Sequence, residues 1–376
     1  MTAAQHQPTA VLLGTGIYLP EPVISNEDLV ASFNAHVQEW NAAHQKDIDA
    51  GTCVAKKESS AAFIEQASGI KQRHFIERSG ILDTQRMRPH LKPRADDALS
   101  LAAEFCVRAA ESLLAEHSDL KSCIDLTIVS CGNPQRPYPS ISIEVQHHFQ
   151  LPGAAFDMNA ACSSTTFGLH MARNAILAGT ARAVLVISPE ICSAQLDFSD
   201  RDSHFIFGDG CVAVLVCNAD LIKQHQGFAI LDSQIATQYS NTIRCNFGYI
   251  NRLEDVFTPP FFRQEGRKVM KDVVPWVSGR LIEQCKNLGM STESISRLWL
   301  HQANRYINNM VVSRFWGRDA TAAEAPLTLE RYGNTSSTGS LMSFHEHHQD
   351  LSKDSYGLLV SFGAGYSMGS LLLKKR

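Results

Sequence analysis

The sequence lacks the features that mark several special classes of protein. Its cysteines form no C-x-x-C pair, so neither a zinc ribbon nor a thioredoxin-like redox centre is indicated. No apolar run reaches the ~20 residues of a membrane span, and the N-terminal residues do not have the pattern of a secretory signal. The 34 basic and 38 acidic residues give a net charge of −4, which argues against general affinity for nucleic acid. We therefore expect a cytoplasmic protein that binds neither membranes nor nucleic acid.

What the chain does contain is a large apolar fraction and ten cysteines. Apolar residues make up 44% of the 376 residues, enough for a sizeable core in two or three domains or in one large layered unit. Without a secretory signal the cysteines are expected to be reduced, and most should be small core residues. They stand at positions 53, 106, 123, 131, 162, 192, 211, 217, 245 and 285.

An internal repeat organises the chain. Three predicted apolar strands have counterparts in the same order further along: 124–130 with 297–300, 183–188 with 357–361, and 211–217 with 368–373. The other predicted elements are a strand at 10–17 that runs into a glycine-rich turn, and helices at 26–50 (with Asn26 as N-cap), 96–116 and 163–178. Alternating strands and helices indicate an α/β fold. The repeat predicts two related halves, residues 1–222 and 223–376, that face a common site.

Cys162 is the cysteine whose position favours chemistry. It lies in the run Asn159–Ser164, at the start of the helix predicted at 163–178. A helix N-terminus presents free N–H groups and the positive end of the helix dipole, and both favour the thiolate form of cysteine. Residue type alone would favour a buried structural cysteine. The position, together with the match of this segment to Gly333–Ser337 in the second half, favours a nucleophile instead.

Two polar residues of the second half are candidates to act with Cys162. His301 follows the strand at 297–300, at the carboxyl end where open α/β sheets place their ligands. Asn334 lies in the segment matched with Cys162 and precedes a Ser- and Gly-rich helix. A core histidine and a helix-capping asparagine are the structural alternatives for these two residues. The glycine-rich turn at 362–367 could bring a backbone N–H close to a reacting carbonyl.

A thiol, an imidazole and a carboxamide fit two kinds of enzyme. In a cysteine hydrolase, His takes the thiol proton and Asn orients the His, and the chain order Cys162, His301, Asn334 fits such an enzyme. In a carbon–carbon bond-forming acyltransferase, the cysteine holds an acyl group as a thioester while the other two stabilise an enolate. The internal repeat favours the acyltransferase, because the first half then supplies the cysteine and the second half supplies the histidine and the asparagine. A non-catalytic acyl-binding protein is a third hypothesis.

Five motifs together resemble the β-ketoacyl-acyl carrier protein synthase III family of the thiolase superfamily. They occur in order over nearly the whole chain: Asn159–Ser164, Phe207–Gly210, His301–Asn304, Gly333–Ser337 and Phe362–Gly365. The resemblance implies a thiolase-like fold, in which duplicated βαβαβαββ halves form a layered α-β-α-β-α sandwich. It also implies a homodimer that needs no cofactor and uses acyl-coenzyme A and malonyl-acyl carrier protein as substrates.

The resemblance also implies a role for each candidate residue. Cys162 would accept the acyl group, malonyl-acyl carrier protein would lose carbon dioxide, and its carbanion would attack the acyl-cysteine to give 3-oxoacyl-acyl carrier protein. His301 and Asn334 would stabilise the enolate oxygen, and the N–H groups of Cys162 and Gly365 would bind the acyl carbonyl oxygen. The remaining implied roles are coenzyme A binding by Arg201 and Phe63, an acyl pocket to which Tyr138 contributes across the dimer, and carrier-protein docking by Arg305, Arg314 and Arg318. For these three arginines a solvated helix face is the alternative.

Departures from the family pattern bear on the substrate. Phe63 stands where the family has a tryptophan that stacks on adenine, and Ala67 where it has an arginine that contacts phosphate. Insertions near 34–60 and 80–95 lengthen the first half, which resembles the longer branch of the family that takes medium-chain primers such as octanoyl-coenzyme A. The alternatives are an acetyl-coenzyme A primed synthase, a type III polyketide or resorcinol-type ketosynthase, and a thioesterase or cysteine hydrolase on this scaffold. The His345–His348 cluster is not expected to bind a metal, because structural zinc needs about four ligands.

Overall fold

The computed structural model describes residues 8–223, 226–247 and 261–376. The strands of these residues are β1 (Ala10–Tyr18), β2 (Val23–Ser25), β3 (Gln72–His74), β4 (Ile124–Ser130), β5 (Ala154–Met158), β6 (Ala183–Glu190), β7 (Gly210–Asn218), β8 (Phe228–Ser240), β9 (Ile243–Arg244), β10 (Arg263–Gln264), β11 (Ile295–Leu300), β12 (Tyr356–Gly363) and β13 (Gly365–Lys375). The α-helices are α1 (Asn26–Ala43), α2 (Gln45–Asp49), α3 (Ala61–Ser68), α4 (Leu101–Glu116), α5 (Ile141–Phe149), α6 (Ser164–Leu177), α7 (Gly266–Asn287), α8 (Arg305–Trp316), α9 (Leu329–Tyr332) and α10 (Gly339–Glu346). None of the helices in these ranges is long and apolar enough to span a membrane.

One nine-stranded sheet forms the centre of the molecule, in the order β11-β12-β13-β8-β1-β7-β6-β4-β5. The sheet is continuous because β1 pairs with β8 at Val11–Leu12 and Phe228–Ala229. Outward from this pairing, the order β1-β7-β6-β4 of the first part matches β8-β13-β12-β11 of the second. The three strand pairs matched in the sequence therefore hold corresponding places in the sheet. The boundary that we propose between the halves, at residues 222–223, falls between β7 and β8.

The helices lie in three layers around the two parts of the sheet. α4 and α5 pack on one face of β4, β6 and β7. α6 and α10 lie between the first-part and second-part strands, and α7 and α8 cover the outer face of β11 and β12. This is the predicted α-β-α-β-α arrangement, and each fully buried Leu, Val or Phe stabilises it by roughly 1.5–3 kcal/mol. The central layer brings the N-terminal ends of α6 and α10 together, where Thr165 Oγ1 donates to Ser337 O at 2.8 Å.

The strand predicted at 10–17 is confirmed as β1, which runs unbroken from Ala10 to Tyr18, whereas the glycine-rich turn predicted with it is wrong. Its glycines serve packing instead of a turn. A Cβ on Gly16 would lie 2.0 Å from the carbonyl oxygen of Ala109 in α4, and one on Gly14 would lie 2.8 Å from Leu113 Cδ1. The strand therefore needs glycine where the helix crosses it most closely.

The first predicted helix is confirmed in place but differs at both ends. Its N-cap is Ser25, not Asn26: Ser25 Oγ accepts from the Asp28 N–H at 3.1 Å and the Asp28 carboxylate accepts from the Ser25 N–H at 3.2 Å. This reciprocal pair is a capping box. The helix also breaks at His44, which separates α1 from α2.

The two insertions pack against each other. Ser32 Oγ of α1 donates to Leu82 O at 2.9 Å, and His36 Nδ1 lies 2.8 Å from Thr84 O. The side chain of Met87 is buried in the same apolar cluster as Phe33. The longer N-terminal region is therefore a packed part of the fold.

Candidate active site

Cys162 lies on a tight bend between β5 and α6, two positions before the first residue of the helix. Ala161 has a φ of +51°, a left-handed conformation that is uncommon for residues other than glycine. Asn159 holds the bend, because its Oδ1 accepts from the Ala161 N–H at 2.8 Å and its Nδ2 donates to Gly132 O at 3.2 Å. Backbone strain of this kind is typical of functional sites. Cys162 is therefore presented ahead of the helix rather than within it.

Burial controls the ionisation of Cys162. It raises the pKa of the thiol to about 11, although the Ser336 hydroxyl lowers it; the charge of Glu190 raises it further. The backbone N–H groups of Ala364 and of Cys162 itself also lower it. The free protein therefore holds a thiol at neutral pH rather than the thiolate expected from the helix N-terminus. The thiol proton has to leave as the substrate enters.

His301 follows β11 directly, at the carboxyl end of the strand as predicted. Its backbone N–H donates to Val360 O of β12 at 2.7 Å, and its ring packs edge-on against Phe362 with the centroids 5.3 Å apart. Burial lowers the pKa of the ring to about 4, against a smaller opposite contribution from the backbone of Ser336. The ring is therefore neutral at neutral pH, a state suited to hydrogen-bond donation rather than to taking up a proton.

Asn334 is buried where a loop of the second half meets the first half. Its backbone N–H donates to Ile206 O and its carbonyl accepts from the Gly208 N–H, both at 3.0 Å. Its Oδ1 accepts from the Ser336 N–H at 2.9 Å. Since the amide oxygen is held in this way, the Nδ2 amide remains as the group that can donate to a ligand.

Ser336 connects the three predicted residues. Its Oγ donates to Cys162 Sγ at 3.7 Å and its N–H donates to Asn334 Oδ1. Its backbone also lies against the His301 ring, where it contributes to the pKa of that ring. Like Ala161, it has a φ of +51°. One residue that sequence reasoning did not select thus brings Cys162, His301 and Asn334 into a single site.

The two halves share one local motif, in a register that differs from the predicted one. In each half an asparagine Oδ1 accepts from the N–H two residues later, and that residue has a φ of +51°. Three residues beyond it a helix begins, α6 at Ser164 and α10 at Gly339. Asn334 therefore corresponds to Asn159, and the match of Asn334 with Cys162 is wrong. The two halves therefore repeat the asparagine-closed backbone turn, whereas the cysteine occurs only in the first half.

The turn between β12 and β13 lies directly against Cys162. A Cβ on Gly363 would be 2.5 Å from Cys162 Cβ and 3.1 Å from its Sγ, so only glycine fits there. The backbone N–H of this turn that lowers the pKa of the thiol is that of Ala364. Gly365, the residue implied by the resemblance, is the next one along and is exposed. We therefore infer that the Ala364 N–H, rather than the Gly365 N–H, acts with the Cys162 N–H in binding the acyl carbonyl oxygen.

Arg201 and Phe63, the residues implied for coenzyme A, contact each other. The Arg201 guanidinium lies 4.3 Å from the centroid of the Phe63 ring. Its Nε donates at 2.8 Å to the carbonyl oxygen of Glu58, which belongs to the first insertion. A flat ring stacked on both sides would need a gap of about 7 Å, two contact distances of about 3.5 Å. The two side chains as they lie are therefore too close to hold an adenine between them.

A cavity of about 1370 Å³ opens beside the Cys162 bend. Its lining includes Gly132 and Asn159, which both contact that bend, together with residues of the loop at 91–101 and of helix α5. Tyr138 is 81% exposed on the adjoining loop and does not line the cavity, whereas its neighbours Arg136 and Pro139 do. The predicted acyl-pocket residue thus lies outside the cavity of its own chain.

The three arginines implied for carrier-protein docking differ in their surroundings. Arg305 pairs with Glu330 at 2.8 Å, and Arg318 pairs with Glu324 at 2.7 Å. Arg314 is exposed on α8. The first two are therefore already engaged in ion pairs within the chain, and Arg314 is the most available of the three.

Comparison with known proteins gives consistent matches. Family models described as 3-oxoacyl-[acyl-carrier-protein] synthase III and its C-terminal region match residues 156–238 and 285–375. The chain is 47% identical over 347 residues to β-ketodecanoyl-[acyl-carrier-protein] synthase of Pseudomonas aeruginosa, covering 92% of this chain and 99% of that protein. It is 28% identical to β-ketoacyl-[acyl-carrier-protein] synthase III of Bordetella petrii, covering 97% and 98%. The crystal structure of 3-oxoacyl-(acyl carrier protein) synthase III from Pseudomonas aeruginosa superposes with a TM-score of 0.74 at 24% identity, covering 97% and 98%.

Proposed function

The chain belongs to the β-ketoacyl-[acyl-carrier-protein] synthase III family, and we propose that it condenses a medium-chain acyl-coenzyme A primer with malonyl-acyl carrier protein. Membership makes it an acyltransferase that forms a carbon–carbon bond. The observation that carries the proposal is the Ser336 contact set, which joins a nucleophile, a neutral imidazole and an amide donor. The similarity to a synthase named for a ten-carbon product supports a primer of about eight carbons.

In the first half-reaction, Cys162 sulfur attacks the thioester carbonyl of the primer. The tetrahedral oxyanion is held by the N–H groups of Cys162 and Ala364, which already act on the sulfur in the free protein. When the tetrahedral intermediate collapses, the bond between the acyl carbon and the coenzyme A sulfur breaks. The departing coenzyme A thiolate takes up the proton that the Cys162 thiol loses. The product is an acyl-cysteine thioester and free coenzyme A.

In the second half-reaction, malonyl-acyl carrier protein loses carbon dioxide and leaves an enolate. The neutral His301 ring and the Asn334 Nδ2 amide donate to the enolate oxygen. Its carbanion attacks the acyl-cysteine carbonyl, and the Cys162 sulfur leaves as a thiolate that takes up a proton from solvent. The product is 3-oxoacyl-acyl carrier protein, and no cofactor takes part. A hydrolase would need a water and a base at this point, whereas the low pKa of His301 makes it a poor base.

A primer series tests the proposed substrate. The cavity of about 1370 Å³ beside the Cys162 bend is our candidate for the acyl site, and its size supports a primer longer than acetyl. We expect kcat/KM for octanoyl-coenzyme A to exceed that for acetyl-coenzyme A by roughly tenfold or more, since each buried CH₂ contributes about 0.8 kcal/mol. Carbon dioxide release from malonyl-acyl carrier protein is the measurement. A maximum at acetyl would contradict the medium-chain primer, and thioester hydrolysis without carbon dioxide release would favour the thioesterase.

We also propose a homodimer in which Tyr138 of each chain reaches the acyl site of the other. Its exposure outside the cavity of its own chain supports this arrangement. β5 is the outer strand of the sheet, and Phe156 on it is 37% exposed, so the strand offers a free edge for a second copy. Arg314 is our candidate for docking the carrier protein, with Arg305 and Arg318 available only if they leave their ion pairs.

Arg201→Ala tests the coenzyme A site. We expect KM for octanoyl-coenzyme A to rise by about tenfold with kcat nearly unchanged, because stacking by a desolvated arginine contributes on the order of 1–2 kcal/mol. Octanoyl-pantetheine, which lacks the nucleotide, should show no such rise. Arg108→Ala on the surface of α4 is the matched control. An equal rise in KM for both donors would show that Arg201 does not bind the nucleotide.

A further inference from the structure

Glu190 is a fully buried acid that the two half-reactions do not use. It ends β6, and four hydrogen-bond donors surround its carboxylate. Its Oε1 accepts from the Gly132 N–H at 2.8 Å and from the Ser337 N–H at 3.4 Å, and its Oε2 accepts from Asn133 Nδ2 at 3.0 Å. The Ser337 hydroxyl donates to Oε1 as well. A buried carboxylate without such donors would be strongly destabilising. These hydrogen bonds therefore hold the Gly132–Asn133 loop and Ser337 firmly against Glu190.

The donors belong to the two loops that border Cys162, one from each half of the chain. Gly132 lies so close to the bend that a Cβ on it would be 3.3 Å from Ala161 O and 3.2 Å from Ser336 Oγ. Ser337 directly follows Ser336, whose N–H and hydroxyl reach Asn334 and Cys162. A shift of Ser337 would therefore move the enolate-binding amide relative to the nucleophile.

We propose that Glu190 is a positioning residue, which ties the Asn334–Ser337 loop to Gly132 and so fixes the Asn334 amide relative to Cys162. The inference rests on the proposed function, because it assigns Glu190 to the decarboxylation step of that reaction. Acylation depends on the Cys162 bend, which Asn159 closes by accepting from the Ala161 N–H. Only the second bond of Asn159, to Gly132 O, reaches the loop that Glu190 holds. Loss of the Glu190 contacts should therefore slow decarboxylation far more than acylation.

The charge of Glu190 has a second consequence. Burial raises its pKa to about 7, although its four hydrogen bonds act the other way. The titratable groups that feel its charge are the thiols of Cys131, Cys162 and Cys192, each of whose pKa it raises. The ionised form, present above pH 7, is the better acceptor for the four donors. Decarboxylation should therefore increase as the pH rises through about 7.

Glu190→Gln keeps the shape of the side chain and removes its charge. It therefore tests both the positioning of the Asn334–Ser337 loop and the effect of the Glu190 charge on the Cys162 thiol. We expect decarboxylation of malonyl-acyl carrier protein to fall by about 10²-fold, the loss typical of a small misplacement. Transfer of label from octanoyl-coenzyme A to Cys162 should change by less than about threefold. Alkylation of Cys162 by iodoacetamide at pH 7.5 should become faster, since loss of the Glu190 charge lowers the pKa of the thiol and leaves more thiolate. The increase in decarboxylation near pH 7 should disappear in this variant.

The controls make the outcome decisive. Glu104→Gln makes the same substitution in a surface ion-pair group on α4 and should change none of these rates. Ser337→Ala removes one of the four donors and should slow decarboxylation in the same selective way, also if Glu190→Gln does not fold. Equal loss of acylation and decarboxylation in Ser337→Ala or Glu190→Gln, or unchanged decarboxylation, would overturn the positioning role. If the wild-type protein does not decarboxylate malonyl-acyl carrier protein, the proposed function itself fails.

Discussion

Replacing Cys162 by serine is expected to lower condensation by a factor on the order of 10⁴ or more, the scale seen when a catalytic nucleophile is removed. A serine hydroxyl at this site has a much higher pKa than the thiol, and the neutral His301 ring is a poor base to activate it. Incubation with radiolabelled octanoyl-coenzyme A should leave stable label on the wild-type protein and none on Cys162→Ser. Carbon dioxide release and 3-oxoacyl product then measure the complete reaction.

Cys53→Ser is the matched control for this substitution. Cys53 is a partly exposed thiol in the first insertion, and its Sγ donates to Val54 O rather than to a residue of the Ser336 contact set. It therefore reports on thiol labelling that does not depend on the site. Label and condensation should both persist in this variant. Full condensation by Cys162→Ser would refute the assignment of the nucleophile, and label on a second cysteine would show that another thiol carries the acyl group.

The fold could be predicted because its signal is repeated. The same order of apolar strands occurs twice in the sequence. This repeat predicted the arrangement that β4, β6 and β7 share with β11, β12 and β13. What could not be predicted depended on contacts between distant segments. The glycines of β1 read as a turn because only the crossing of α4, about 95 residues later in the chain, shows why Gly16 tolerates no side chain. Local sequence does not contain that contact.

The candidate site shows the same division between local and distant signals. Cys162 and His301 could be proposed as site residues because each stands at the end of a predicted element, in a position that favours ligand binding. Ser336 and Glu190 could not, since a serine in a Ser-rich segment and an acid after an apolar strand have no distinguishing pattern. Their roles come from hydrogen bonds to residues 57 to 174 positions away. The choice between Ala364 and Gly365 likewise depended on which N–H reaches the sulfur.

Asn334→Ala is expected to lose decarboxylation while it still acylates Cys162. The Asn334 amide is a single donor to the enolate oxygen, and removal of one such donor costs about 10²–10³-fold in rate. Acylation uses the N–H groups near Cys162 instead, so label transfer from octanoyl-coenzyme A should stay within about threefold of wild type. Asn334→Asp keeps an oxygen that can accept from the Ser336 N–H but replaces the donor by a second oxygen. It should lose decarboxylation as well. This result would show that the loss comes from the missing amide donor and not from a displaced loop.

The duplicated turn supplies the matched variant. Asn159 makes the same hydrogen bond to Ala161 that Asn334 makes to Ser336, but in the half that carries the nucleophile. Asn159→Ala should therefore loosen the Cys162 bend and slow acylation, whereas Asn334→Ala slows decarboxylation. Opposite defects in two variants of one repeated motif would be hard to produce by general loss of stability. If Asn334→Ala lost acylation instead, the amide would belong to the acyl-transfer step and the proposed enolate site would be wrong.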